Sequence, residues 1–170
     1  ISVVCYTLFL FKPDSALGRL LIWKIGWSIF LDHPLTGIGY DQFKILYNKY
    51  QSLYFQSGLG STKEQFLAAN GYYVFNEPFR ILIESGITGF VLFIYLLWQS
   101  WKCFKISYVK QKSLVLPIVG SLISLILFSL FSYPFSIIPL KLLLFGNLAI
   151  LSGVYSDTPK IFEKARTVNN

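Results

Sequence analysis

Three apolar runs dominate the second half of the chain, at residues 86–104, 114–131 and 137–155. A helix needs about 20 apolar residues to cross the core of a bilayer, and each run is close to that length. A further apolar run, residues 1–11, is typical of the end of another span. The charged fraction is 14%, against about 25% in soluble domains. These features predict an all-α, polytopic transmembrane helix bundle.

The chain contains no methionine and opens inside an apolar run, which predicts that it is part of a longer protein. Its two cysteines, Cys5 and Cys103, lie far apart without the paired spacing of a disulfide or metal site. The net charge is +7. Cytoplasmic loops of membrane proteins are rich in Lys and Arg, so this charge predicts a membrane orientation rather than a nucleic-acid partner.

Basic residues mark two connections as cytoplasmic. They concentrate around the connection at residues 105–113 and recur in the tail at 156–170. With both segments in the cytoplasm, the apolar runs alternate across the membrane without conflict. Residues 12–85 then form a large loop outside the cytoplasm, in which acidic and basic residues are nearly balanced. This arrangement predicts a multi-pass inner-membrane protein, in contact with membrane lipids.

The predicted loop begins with an apolar helix over residues 16–31, capped by Asp14 or Ser15. This segment is too short to span comfortably and contains charged residues, so we expect it to lie in the membrane interface. It ends at His33, because the residue before a proline avoids helical angles.

Asp41 is expected to begin a second helix, which reaches about Gln56. Aromatic residues fall on one stripe of this helix at helical spacing, which predicts packing against neighbouring helices. Residues 57–75 are polar and contain glycine, which is typical of a looser substrate loop.

Arg19 and Trp23 share one face of the first loop helix. A guanidinium is planar and can bind two oxygens of a pyrophosphate at once. The alternative is that Arg19 contacts lipid headgroups or pairs with Asp14 or Glu84.

Glu77, Arg80 and Glu84 have helical spacing just before the second apolar run. A partly desolvated carboxylate at this place is a candidate general base. The alternative is a charge cluster that compensates itself at the start of a helix.

His33 is the only histidine, and it lies between Asp32 and Pro34 at the predicted end of a helix. Imidazole is a possible base near neutral pH. The position favours a capping or packing role instead, and the same holds for Asp32.

Two segments resemble the signatures of the O-antigen ligase and O-antigen polymerase superfamily. The first comprises SALGR at residues 15–19, Trp23, HPLTGIG at 33–39 and Phe43, and the second is NEPFRILIESGITG at 76–89. Together the motifs cover about half of the chain, and the order of the following spans agrees with them.

The resemblance implies a bundle akin to the C-type membrane glycosyltransferases. Such proteins move a glycan from undecaprenyl pyrophosphate to an acceptor, which is the lipid A core for a ligase and a lipid-linked repeat for a polymerase. It implies neither a metal nor another cofactor, because the donor carries its own leaving group. Loop arginines are thought to hold the pyrophosphate, a role that maps onto Arg19.

One position departs from the family pattern. The second signature usually begins with His before Asn, and that His is the favoured base, whereas this chain has Phe75 before Asn76. Either Glu77 or Glu84 replaces the base, or the chain relies on positioning and leaving-group stabilisation, or it has lost activity or changed substrate.

The sequence therefore predicts a periplasm-facing glycosyltransferase of the O-antigen ligase type. The alternatives are a polymerase, a transporter and a non-catalytic assembly partner. The candidate residues are Glu77 and Glu84 as bases, Arg19, Lys24 and Arg80 as pyrophosphate ligands, and His33, Asn76 and Trp23 as supporting residues.

Overall fold

The structure is a computed structural model, and it describes residues 13–68 and 73–168. The described residues form helices and connecting turns without a strand, which confirms the all-α prediction. The helices are α1 (Pro13–Asp32), α2 (Phe43–Gln56), α3 (Thr62–Leu67), α4 (Glu77–Lys110), α5 (Lys112–Ser129), a 3₁₀ helix (Pro134–Ser136) and α6 (Ile138–Val168). The span predicted to end within residues 1–11 lies outside the described part of the chain. The chain divides into two compact units, Ile1–Phe90 and Val91–Asn170.

The first unit is built around α1, which is apolar on nearly every side. Leu21, Ile25 and Ile29 recur every four residues and are buried in its core. On other sides of the helix, Trp27 and Leu31 remain about half exposed. The helix begins three residues before the predicted range 16–31 and ends one residue after it. Its exposed apolar side agrees with the predicted place in a membrane interface, which stays a prediction.

Helix α2 packs on α1 through the predicted aromatic stripe. Phe43 and Tyr47 are buried, with ring centroids 5.4 Å apart. The Tyr50 hydroxyl donates a hydrogen bond of 2.6 Å to the Asp32 carboxylate, which raises the pKa of Tyr50 to about 12. The helix begins two residues later than expected, because Asp41 has a left-handed backbone with φ of 60°.

The segment predicted to be loose contains an ordered turn of helix, α3. Ser61 and Glu64 form a capping box at its start. The Glu64 carboxylate accepts the Ser61 N–H at 2.9 Å, and the Ser61 hydroxyl accepts the Glu64 N–H at 3.2 Å. Two otherwise unpaired donors of the helix start are thereby satisfied. The expectation of an irregular stretch over residues 57–75 was therefore wrong in its middle.

Helix α4 bends at Gly86, where φ is 68° and ψ is −169°. It starts at Glu77, so the helix begins nine residues before the apolar run that was expected to start at 86. A bend leaves backbone N–H and carbonyl groups without partners in the helix, and the HPLTGIG turn forms hydrogen bonds with these groups. The joining bonds are Ile38 N to Ile83 O (3.2 Å), Gly39 N to Glu84 O (2.8 Å), Ile87 N to Pro34 O (2.9 Å) and Thr88 N to Leu35 O (3.3 Å). We call this junction the Gly86 clasp.

Two glycines allow the clasp to close. A Cβ on Gly86 would lie closer than 3.0 Å to the Leu35 carbonyl, and one on Gly37 would meet the Glu84 carbonyl equally closely. Both residues also have positive φ, which residues with a side chain rarely adopt. The two signature motifs therefore bind each other through their backbones.

The second unit contains the remaining apolar helices. α5 and α6 pack around Val115, Leu122 and Leu151, and Asn147 donates to the Ser121 hydroxyl at 2.6 Å. The reversal between them includes the 3₁₀ helix, where prolines were expected to mark a tight turn. Among the described residues, three helical segments are long and apolar enough to cross a membrane: Glu77–Val109, Lys112–Ser129 and Ile138–Ser156.

Candidate functional site

Arg19 lies on the wall of an open pocket of about 300 Å³ in the first unit. The pocket is lined by Ser15, Gly18, Arg19, Ile22, Tyr47, Leu67 and Phe75. A Cβ on Gly18 would have no atom within 4 Å, so the space next to Arg19 is unobstructed. A half-buried guanidinium beside such a space can take an anionic group.

Phe75 covers the guanidinium of Arg19. The Cζ atom of Arg19 lies 5.1 Å from the centroid of the Phe75 ring. A cation at this distance is attracted by the face of an aromatic ring. Phe75 has φ of 56°, one of two positive values at non-glycine residues in the described part of the chain.

The backbone on both sides of Phe75 is fixed by side chains that sequence reasoning had named. The Trp23 indole N–H donates a 2.8 Å hydrogen bond to the carbonyl of buried Val74. The Asn76 side-chain oxygen accepts the Phe79 N–H at 2.9 Å and so caps α4. Trp23 and Asn76 therefore support the pocket through the chain segment that carries Phe75.

Tyr47 forms another part of the pocket wall and is almost completely buried. Burial raises the pKa of its hydroxyl to about 12, although Gln51 donates a hydrogen bond of 3.1 Å to the same oxygen. Tyr47 is consequently a neutral phenol at physiological pH.

Lys24 does not line the Arg19 pocket. Its amine contacts the Tyr54 hydroxyl and lies 3.5 Å from the Glu64 carboxylate. The hydrogen bond with Tyr54 and the charge of Glu64 raise the pKa of Lys24. Lys24 therefore fastens α3 to α1.

Glu77 and Arg80 form a buried ion pair in the first turn of α4. The Arg80 Nε donates to Glu77 at 2.7 Å, and the Glu77 side chain is fully buried. Neither residue lines the Arg19 pocket. This is the self-compensating arrangement that was one of the two alternatives for the cluster.

Glu84 is buried at the Gly86 clasp, and its carboxylate lies near the backbone N–H groups of Asp41 and Phe43. These N–H groups belong to the start of α2, where a negative charge is favourable. The sequence suggested a base at this position, and the contacts add a structural role.

His33 and Asp32 lie at the end of α1. The His33 carbonyl accepts the Gly37 N–H at 3.0 Å and the His33 N–H donates to the Phe30 carbonyl at 3.1 Å. The His33 side chain is exposed, and Asp32 binds Tyr50. Neither residue lines the pocket beside Arg19.

The structure thus brings Arg19 together with residues from other helices that sequence reasoning had not assigned to the site, such as Tyr47 and Leu67. Tyr47 was recognised only as part of an aromatic stripe. The spacing of Ser15, Arg19 and Ile22 on one side of α1 was a usable signal for the pocket wall, because residues three and four apart are neighbours on a helix.

The described residues define a helical membrane protein whose first unit carries an arginine-lined pocket. The family model described as O-antigen ligase matches residues 10–94, which is half of the chain and includes the pocket and the Gly86 clasp. The chain therefore belongs to the O-antigen ligase family. No curated protein and no solved structure matches it.

Proposed function

We propose that this chain forms part of a membrane glycosyltransferase that moves a glycan from undecaprenyl pyrophosphate to the lipid A core or a similar acceptor. The observation that carries the proposal is Arg19, half buried beside an unobstructed pocket within the segment that matches the O-antigen ligase family. Membership of the family supports the reaction class. The pocket supports the assignment of the pyrophosphate to Arg19.

The proposed reaction is a direct displacement with inversion at the anomeric carbon. The acceptor hydroxyl oxygen forms a bond to this carbon while the bond to the pyrophosphate oxygen breaks, and the pyrophosphate leaves with the electron pair. Arg19 stabilises the charge that grows on the leaving group. Lys24 and Arg80 would assist only if their contacts with Glu64 and Glu77 were exchanged for the pyrophosphate.

The acceptor proton requires a base, and Glu77 and Glu84 remain the proposed candidates. Each carboxylate has another partner in the structure: Arg80 for Glu77, and the N–H groups at the start of α2 for Glu84. Glu77 follows Phe75, which lines the pocket, by two residues, whereas Glu84 follows it by nine. We therefore favour Glu77 and assign the main catalytic effect to stabilisation of the leaving group.

Substitution of Arg19 tests the proposal directly. We expect Arg19→Ala to abolish glycan transfer by the full-length protein, because the pyrophosphate loses its cationic ligand, while membrane insertion stays normal. Arg19→Lys keeps the charge and loses the planar fork, so we expect partial activity. Lys49→Ala, an exposed charge on α2 outside the pocket, is the matched control. Full transfer by Arg19→Ala would remove Arg19 from the mechanism.

The product distinguishes the ligase from the polymerase. In a deletion strain complemented with the full-length protein, a ligase restores glycan on the lipid A core. A polymerase restores repeat-unit chain length while attachment is carried out by another enzyme.

The proposed location of residues 12–85 in the periplasm can be tested by labelling. In a background without Cys5 and Cys103, a cysteine at exposed Lys49 should react in intact cells with a maleimide that cannot cross the inner membrane. A cysteine at exposed Lys105, in the predicted cytoplasmic connection, should react only after the membrane is opened. The reverse pattern would place the Arg19 pocket in the cytoplasm and exclude the proposed reaction.

A further inference from the structure

We infer that Phe75 is a positioning residue for Arg19: its ring holds the guanidinium in the pocket without neutralising the charge. This inference rests on the proposed role of Arg19 as the pyrophosphate ligand. It assigns a function to the one signature position at which the chain departs from its family resemblance.

The first argument is the backbone conformation of Phe75. A φ of 56° is unfavourable for a bulky residue, since the left-handed region crowds the side chain against its own backbone. Such conformations persist where the surrounding structure determines them, and they concentrate at functional sites. In this chain the unusual conformation occurs at the residue whose ring faces Arg19.

The second argument is that Phe75 lies between two fixed points. Val74 is held by the Trp23 indole through a 2.8 Å hydrogen bond, and Asn76 is held as the cap of α4 by a 2.9 Å bond with Phe79. The backbone that carries the Phe75 ring is therefore held on both sides. Trp23 stabilises Arg19 indirectly, by way of Val74 and Phe75.

The third argument is the kind of partner that each cation has. Lys24 and Arg80 both face carboxylates, Glu64 and Glu77, which offset their charge. Arg19 faces an aromatic ring instead, and a ring attracts a cation through its quadrupole while it carries no net charge. A carboxylate at this position would compete with an anionic ligand for the guanidinium, whereas the Phe75 ring leaves the in-plane N–H donors available.

The test measures ligand binding and arginine reactivity in the full-length protein in detergent. Farnesyl pyrophosphate serves as the binding probe. Phe75→Leu removes the ring, Phe75→Tyr keeps it, and Phe66→Leu on α3, at a site 86% exposed, is the matched control for loss of an aromatic residue. A melting curve of each variant shows that it is folded.

We expect Phe75→Leu to weaken probe binding by about 2- to 30-fold, the range that a cation–π contact accounts for, and Phe75→Tyr to bind like the parent protein. If Arg19→Ala loses probe binding and Phe75→Leu binds the probe as the wild-type protein does, the positioning role is overturned.

The second readout needs no ligand. Phenylglyoxal modifies arginine, and the rate at Arg19 can be followed by mass spectrometry with buried Arg80 as the internal reference. We expect faster modification of Arg19 in Phe75→Leu and an unchanged rate in Phe75→Tyr. Unchanged reactivity in Phe75→Leu would overturn the inference. If reactivity changes but Arg19→Ala still binds the probe, positioning is supported and the proposed function of Arg19 fails.

Discussion

Replacement of Gly86 by alanine tests whether the Gly86 clasp determines the fold of the first unit. The backbone at Gly86 has φ of 68° and ψ of −169°, a region that only glycine occupies readily. A Cβ there would also lie closer than 3.0 Å to the Leu35 carbonyl, so the HPLTGIG turn would have to move away from α4.

The expected cost follows from these two effects. Placing a residue with a side chain in this conformation costs about 1–3 kcal/mol. Moving the turn weakens the bond from Ile87 N–H to the Pro34 carbonyl and that from the Thr88 hydroxyl to the Leu35 carbonyl, each worth about 0.5–1.5 kcal/mol. We therefore expect Gly86→Ala to lower the free energy of unfolding by about 2–6 kcal/mol.

The measurement is unfolding of the purified full-length protein in mixed detergent micelles, with circular dichroism and limited proteolysis as probes. Gly120→Ala is the matched control, because a Cβ at this helical position has no atom within 4 Å. Alanine in a helix interior is favoured over glycine by up to about 1 kcal/mol, so the control should be neutral or slightly stabilised. Equal stability of the two variants would refute the structural role of the clasp.

Two further substitutions test contacts of carboxylates. Glu84→Ala should destabilise the protein by about 1–3 kcal/mol, because it removes a buried carboxylate next to the N–H groups at the start of α2. Glu84→Gln keeps an oxygen acceptor and should remain folded, and a folded Glu84→Gln variant without transfer activity would indicate that Glu84 is the base. The capping bond from the Ser61 N–H, with the charge of Lys24, lowers the pKa of Glu64 below its ordinary value of 4.5. The attachment of α3 should therefore be complete above pH 4.5 and be lost as the pH falls through the lower folded-state pKa, measured by protease cleavage within α3; a Glu64→Gln variant with the same pH profile would contradict this assignment.

Local signals predicted the helices better than the site. The end of α1 was predictable from His33 and Pro34, because a proline restricts the residue before it. The capping box of α3 could also have been predicted, because Ser61 is followed three residues later by Glu64, but it was not. The late start of α2 was not predictable, since nothing next to Asp41 specifies a left-handed backbone.

The site depends on contacts that are distant in sequence. Arg19 contacts Phe75, and the Glu84 carboxylate lies near the start of the helix whose first residue is Phe43. Sequence spacing put Glu77, Arg80 and Glu84 on one helical face and offered an ion-paired cluster as one alternative, but it could not decide between that cluster and a catalytic base. Arg19 was named from the sequence because a guanidinium can bind the oxygens of a pyrophosphate, and its role as that ligand stays a prediction.

The Gly86 clasp affects how mutational surveys of such a chain should be interpreted. Substitutions at Gly37 and Gly86 would separate the turn from α4, so under the proposed function they would remove product as a change at Arg19 does. A survey scored only by product would therefore mistake the positions of the Gly86 clasp for catalytic residues. Measuring protein abundance beside product for every variant separates residues that support the architecture from residues that contact the substrate.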